Sequence, residues 1–188
     1  MFFSMQDIEF EILDFIQNNM RSPLMDRIMV FFTWIGEYGI IWLLAGVVLL
    51  FIRKYRADGI TLLAAIGVGA LVANVTLKNL VMRARPCWIH SEIPLLIAVP
   101  KDYSFPSGHT MASIIACVVI VHAKPKLAWG VIPLALIISF SRLYLYVHFP
   151  TDVLFSMIVG SIIGLSACLV EKKVQRKIAA KNTPDATR

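Results

Sequence analysis

Charge is what this sequence has least of. Asp, Glu, Lys and Arg make up 16% of its 188 residues, where a soluble domain carries about 25%. So few ionic groups cannot cover the outside of a water-soluble domain, which excludes the ordinary globular classes. Cysteine is scarce as well. Of three cysteines, Cys87 stands alone in a loop and Cys117 and Cys168 fall inside apolar runs. No pair has disulfide or zinc spacing, which excludes a disulfide scaffold and a zinc module. A basic stripe is also missing. The net charge of +6 sits in short clusters between apolar runs, so no nucleic-acid partner is expected. There is no internal repeat and no low-complexity segment. The N-terminus has neither a basic n-region nor a small-residue cleavage site, and no removable signal peptide is expected.

Hydrocarbon, by contrast, is abundant. Apolar residues make up 58% of the chain and the mean hydropathy is +0.74. A helix needs roughly 20 apolar residues to cross the hydrocarbon core of a bilayer. Five runs qualify, at 28–52, 59–80, 107–123, 127–147 and 150–170. Gly36, Glu37 and Gly39 interrupt the first run, which therefore reads as one span or as two helices. The pattern predicts an all-α polytopic membrane bundle of about five to six transmembrane helices. Residues 7–19 place Ile8, Ile12, Phe15 and Ile16 on one helical face and Asp7, Glu11 and Asp14 elsewhere. That predicts an amphipathic helix lying on the membrane surface. The domain division is thus an interfacial segment over 1–22, a transmembrane domain over 23–170 and a polar, frayed tail over 171–188. The apolar stretch IPLLIAV (93–99) is too short to span.

Basic residues set the sidedness. RKYR (53–56), HAKPK (122–126) and EKKVQRK (from 171) fall on one side if five spans alternate. The positive-inside rule makes that side cytoplasmic, together with the C-terminus. The 81–106 loop and the turn near 148 then lie on the outer face of a plasma membrane. Yet Lys78, Arg83, Arg85 and Arg142 lie on that face or at its membrane edge. Ionisable groups so placed are costly and mark function by default.

Three clusters carry the chemistry. In KNLVMRARP, Lys78 and Arg85 are seven residues apart, nearly two helical turns, so both can point to one side at the end of the second span. Pro86 then discourages continuation. In PSGH, Pro106 suits a first helical turn and Ser107 a cap. Gly108 lets the backbone approach a ligand, and the helix N-terminus ahead of His109 favours a phosphate. In SRLYLYVHFPTD, His148 and Asp152 are four apart and face each other if the turn is helical. A carboxylate on one imidazole nitrogen fixes the tautomer and frees the other nitrogen for attack. Arg142 opens this cluster. The collection fits an anion with three equatorial oxygens and has none of the character of a metal site.

These three motifs, K-x6-RP, PSGH and SR-x5-H-x3-D, occur in order over residues 78–152. Together they resemble the type 2 phosphatidic acid phosphatase superfamily, in its membrane lipid phosphatase branch. The resemblance implies that His148 is the nucleophile, that Asp152 orients it, and that His109 protonates the leaving oxygen and then activates water. It implies that Lys78, Arg85, Ser107, Gly108 and Arg142 hold the phosphoryl oxygens, with no metal and no cofactor. The substrate implied is a membrane lipid phosphate or diphosphate reached from the bilayer. Undecaprenyl diphosphate comes first, with phosphatidylglycerol phosphate, phosphatidate and diacylglycerol pyrophosphate close behind. A lipid transporter or scaffold and a vanadate-dependent haloperoxidase are the readings from other classes. The sequence leaves the oligomeric state open. Arg83 lies outside the matched positions and reads as a surface or headgroup contact. Tyr103, Tyr144, Tyr146 and Trp88 read as an interfacial aromatic belt.

Overall fold

A computed structural model describes residues 4–182. Among them α1 (Met5–Met20) and α2 (Pro23–Ile35) come first. Both begin on side-chain caps. Ser4 Oγ accepts from the Asp7 amide while the Asp7 carboxylate accepts from the Ser4 amide, and Ser22 caps α2 with Pro23 behind it. A 3₁₀ turn, Glu37–Gly39, separates α2 from α3 (Ile40–Phe51). Tyr38 and Gly39 there take left-handed φ values of 49° and 70°, and the axis bends by 45°. The interrupted first run is therefore two helices joined at a bend rather than one straight helix.

Next come α4 (Arg56–Ala70), a π-helical stretch (Leu71–Leu77) and α5 (Lys78–Val81), which run on without a break. Met82, at φ 47°, ends that run. The remaining helices are α6 (Pro86–Ile89), α7 (Gly108–Ala123), α8 (Ala128–Tyr144) and α9 (Pro150–Asn182). Three described stretches, Arg53–Ile89, Pro125–Tyr144 and Pro150–Lys181, are long and apolar enough to cross a membrane. The bent pair Pro23–Ile35 and Glu37–Phe51 makes a fourth. α7, at 16 residues, is shorter, yet it too runs from one end of the bundle to the other, so all five expected segments appear as helices, with α7 as the inner one. Met111, Ile115, Ala116, Val119 and Ile120 of α7 are buried at the centre of the larger apolar cluster, which also holds Leu62, Ala65 and Ile138.

Close approach between helices rests on glycine. A Cβ at Gly59 would lie 2.8 Å from the Gly46 carbonyl oxygen and 2.9 Å from the Leu50 nitrogen. These are backbone atoms of α3 that cannot swing aside. Gly59→Ala therefore destabilises by about 1–3 kcal/mol, although alanine is the better helix former. Thermal unfolding in detergent measures this.

Three expectations need correcting. The chain beyond 171 is not frayed over its described part, because α9 continues as one helix to Asn182. Tyr144 and Tyr146 do not form a lipid-facing belt. Both are buried, donating to Asp26 at 2.5 Å and to Asp14 at 2.7 Å, because their hydroxyls find carboxylate partners on α1 and α2. And α1 has two apolar stripes rather than one. Leu13 and Ile16 pack with Tyr144–Val147 and Phe149 in the second cluster. Met5, Ile8, Ile12 and Phe15 face outward.

The ends of the bundle differ. At one end the α3–α4 and α7–α8 connections meet, with Lys54 and Lys124 both over the Tyr55 ring, 5.5 and 5.7 Å from its centroid. The other end receives the C-termini of α5 and α8 and the N-termini of α7 and α9. Every chemistry-bearing residue singled out in the sequence lies there.

Candidate active site

A cavity of about 800 Å³ opens at that end. Its wall includes Lys78, Arg85, Gly108, His109, Arg142 and His148, brought together from four parts of the chain. Lys78 and Arg85 do not share a helix as the seven-residue spacing suggested. The left-handed turn at Met82 ends α5, and Arg85 is the residue just before Pro86 of α6. The turn, not helical periodicity, makes the two cations converge. Both meet Asp102. Its carboxylate accepts from the Lys78 ammonium and, at 2.8 Å, from Arg85 Nη2, while its carbonyl accepts from Arg85 Nε at 2.7 Å. Burial alone would raise the Asp102 carboxyl, but the two cations override it and hold it at about 2. With a depressed folded value, this pairing is fully present above the ordinary carboxylate value of 3.8. It is lost only as pH falls through about 2, so pH dependence in the neutral range belongs to other groups.

His148 sits in the turn between α8 and α9. Its Nε2 lies 3.2 Å from Arg85 Nη1. A guanidinium can only donate, so Nε2 is the unprotonated nitrogen and Nδ1 carries the hydrogen. Nδ1 faces Asp152 Oδ2 at 3.5 Å. Burial first, and then the charges of Arg85 and Arg142, push the His148 imidazole well below its ordinary value and keep it neutral. The result is a lone pair held beside a guanidinium at the cavity wall.

Asp152 is wholly buried, and its partners fix its direction. It accepts from Ser104 Oγ, from the Phe149 amide at 2.9 Å and from Arg83 Nη1 at 2.7 Å. Arg83 also donates to Glu9 of α1 and stacks 4.0 Å from the Phe149 ring centroid. Arg83 is thus no surface contact. It is the clamp that ties α1 to the carboxylate behind His148. Glu9, only 3% exposed, also accepts from the Thr151 amide at 3.1 Å. The sequence signal for Glu9 was its position in the stripe Glu9–Leu13–Ile16, where an acid on a buried face demands a cation.

Ser107 is the N-cap of α7, accepting from the Thr110 amide, and is buried behind the cavity wall rather than in it. Gly108 is in the wall. A Cβ there would press to 3.3 Å of Asn74 Oδ1 from the π-helical stretch. Arg142 donates to Thr33 Oγ1 of α2. Among the described residues, the buried side-chain nitrogens without a hydrogen-bond partner are His109 Nε2, Arg142 Nε and His148 Nδ1. All three belong to this site. Unsatisfied polar atoms are uncommon in folded proteins and concentrate where function needs them.

A helical membrane bundle that gathers three cations and two imidazoles at one cavity defines a membrane-embedded phosphohydrolase, since phosphoryl transfer is mostly positioning and charge neutralisation. The profile of the PAP2 superfamily matches residues 58–176, and the chain belongs to that family. It is 31% identical over 178 residues to the undecaprenyl-diphosphatase of Sulfolobus acidocaldarius, covering 90% of this chain and 84% of that one. It is 30% identical over 146 residues to the undecaprenyl-diphosphatase BcrC of Bacillus subtilis, covering 77% and 74%. The crystal structure of a transmembrane PAP2-type phosphatidylglycerolphosphate phosphatase from B. subtilis superposes with a TM-score of 0.73 at 26% identity, covering 90% and 87%. The protein is a multi-pass membrane phosphatase of the PAP2 type.

Proposed function

We propose that the enzyme removes the terminal phosphate of undecaprenyl diphosphate through a phosphohistidine on His148. His148 Nε2 attacks phosphorus while Asp152 steadies the positive imidazole through Nδ1. His109 gives a proton to the leaving oxygen, then takes one from the water that hydrolyses the phosphohistidine. Lys78, Arg85, Arg142 and the Gly108 amide neutralise the three equatorial oxygens, and Ser107 holds the start of α7 beneath them. Arginine suits this work because its fork is planar, permanently charged and bidentate toward phosphate.

One observation carries the reading. Nε2 of a neutral, buried imidazole faces a cavity lined by three cations. The diphosphate is supported by the names of the two relatives near 30% identity. Phosphatidylglycerol phosphate is the second reading, favoured by the superposed B. subtilis structure.

The active face is proposed to be extracytoplasmic in the cell membrane. The clustering of Lys54, Arg56, Lys124 and Lys126 at the opposite end supports this through the positive-inside rule.

Phosphate release from a panel of purified lipids in detergent tests the function. Undecaprenyl diphosphate is expected to turn over fastest, with activity unchanged in excess EDTA. Preference for phosphatidylglycerol phosphate would transfer the assignment to the second reading. Loss in EDTA restored only by a divalent ion would overturn the metal-free route.

A further inference from the structure

Glu37 is not among the three motifs, yet it reaches the site. It sits in the 3₁₀ turn that separates α2 from α3 and lines the same cavity as His148. Its Oε2 lies 3.5 Å from His109 Nε2, one of the buried nitrogens that finds no hydrogen-bond partner. The break looks made for this approach. A Cβ at Gly36 would lie 3.2 Å from His109 Cδ2 and 2.8 Å from Ile138 Cγ2, so only glycine lets the turn come this close. Tyr38 then takes a left-handed φ of 49°, a conformation costly for a residue with a side chain. Backbone strain and a bent helix pair together deliver one carboxylate to one imidazole.

We infer that Glu37 is a positioning residue for His109. It stabilises the imidazolium that must donate to the leaving oxygen, from 3.5 Å on the proton-donating Nε2 side, whereas Asp152 meets His148 at the same separation on Nδ1, the nitrogen turned away from attack. This rests on the acid–base role proposed above for His109. The proton given up by His109 Nε2 as the P–O bond breaks and the P–N bond to His148 forms returns from water in the second half-reaction. Glu37 therefore neither gains nor loses a proton over the cycle. The other charged or titratable groups around His109 are Arg142 from α8, Lys78 and Arg85, Asp102 and His148. Three of these are permanent or near-permanent cations that oppose an imidazolium. Glu37 and Asp102 are the anions, and Asp102 is engaged by Lys78 and Arg85.

The prediction turns on the leaving group. An alcohol leaves badly without a proton, whereas a lipid phosphate leaves from a diphosphate with little help. Full-length enzyme in detergent is assayed on dioleoyl phosphatidate and on farnesyl diphosphate, as wild type, Glu37→Gln, Glu37→Asp and His109→Gln. A general acid supplies about 10²–10⁴-fold. Glu37→Gln is expected to lower kcat on the monoester by about 10-fold or more, and on the diphosphate by a few-fold at most, at unchanged KM. The high-pH limb of the monoester profile should move to lower pH, and Glu37→Asp should recover part of both effects. Equal losses on both substrates, or an unmoved limb, would overturn the inference while a leaving-group-dependent His109→Gln kept the acid role intact. If His109→Gln itself shows no such dependence, the acid role and the Glu37 inference fall together.

Discussion

His148→Ala is expected to reduce phosphate release by about four orders of magnitude or more, the scale seen when a covalent nucleophile is removed. The cations remain in this variant, so lipid binding should survive and the loss should fall on kcat. The reason is in the geometry. Nε2 beside Arg85 is the one imidazole lone pair whose tautomer the surroundings dictate, through a donor-only guanidinium on one side and Asp152 on the other. Quenched turnover of lipid carrying radiolabelled terminal phosphate should leave base-stable, acid-labile label on the wild type and none on the variant. A variant with near-normal kcat would show that the reaction does not pass through His148.

Arg83→Ala is expected to be the most destabilising single change near the site, at about 3–5 kcal/mol, because it strips the cation from two buried carboxylates at once. Glu9 is 3% exposed and Asp152 is 0% exposed, so neither can be rehydrated in place. The Phe149 ring also loses the guanidinium 4.0 Å from its centroid. Activity should fall with stability, since Asp152 would no longer be held behind His148. The decisive comparison is the double variant Arg83→Ala/Glu9→Gln, which removes one orphaned charge and should regain part of the lost thermal stability in detergent. Arg83→Lys should not substitute, because a single ammonium cannot fork between Glu9 and Asp152. If Arg83→Ala melts with the wild type, the clamp contributes nothing and α1 is held by its apolar stripe alone.

How much of this was legible in the sequence depended on distance along the chain. The His148–Asp152 pair is four residues apart and spans one turn, so its spacing was sufficient. PSGH announced a helix start because Ser107 caps its own next turn. Lys78 and Arg85 were recognised as partners for the wrong geometric reason, since the backbone reverses at Met82 between them. Arg83 was misjudged because its partners are 74 and 69 residues away, where no periodicity reaches. Asp102, Glu37 and Glu9 were missed for the same reason. The five apolar runs all appear as helices, but hydropathy did not mark α7 as the inner one. Hydropathy measures the wish to leave water, which an inner helix shares with a lipid-facing one. Tyr144 and Tyr146 followed a valid tendency of interfacial aromatics, overridden here by two carboxylates within reach.

A structure of the enzyme with orthovanadate most directly tests the claim that these distant side chains form one pocket for a tetrahedral anion. The expected result is vanadium bonded to His148 Nε2, its equatorial oxygens on Lys78, Arg85, Arg142 and the Gly108 amide, and its apical oxygen toward His109. Vanadate bound elsewhere, or bound in the cavity through residues other than His148, would contradict the account.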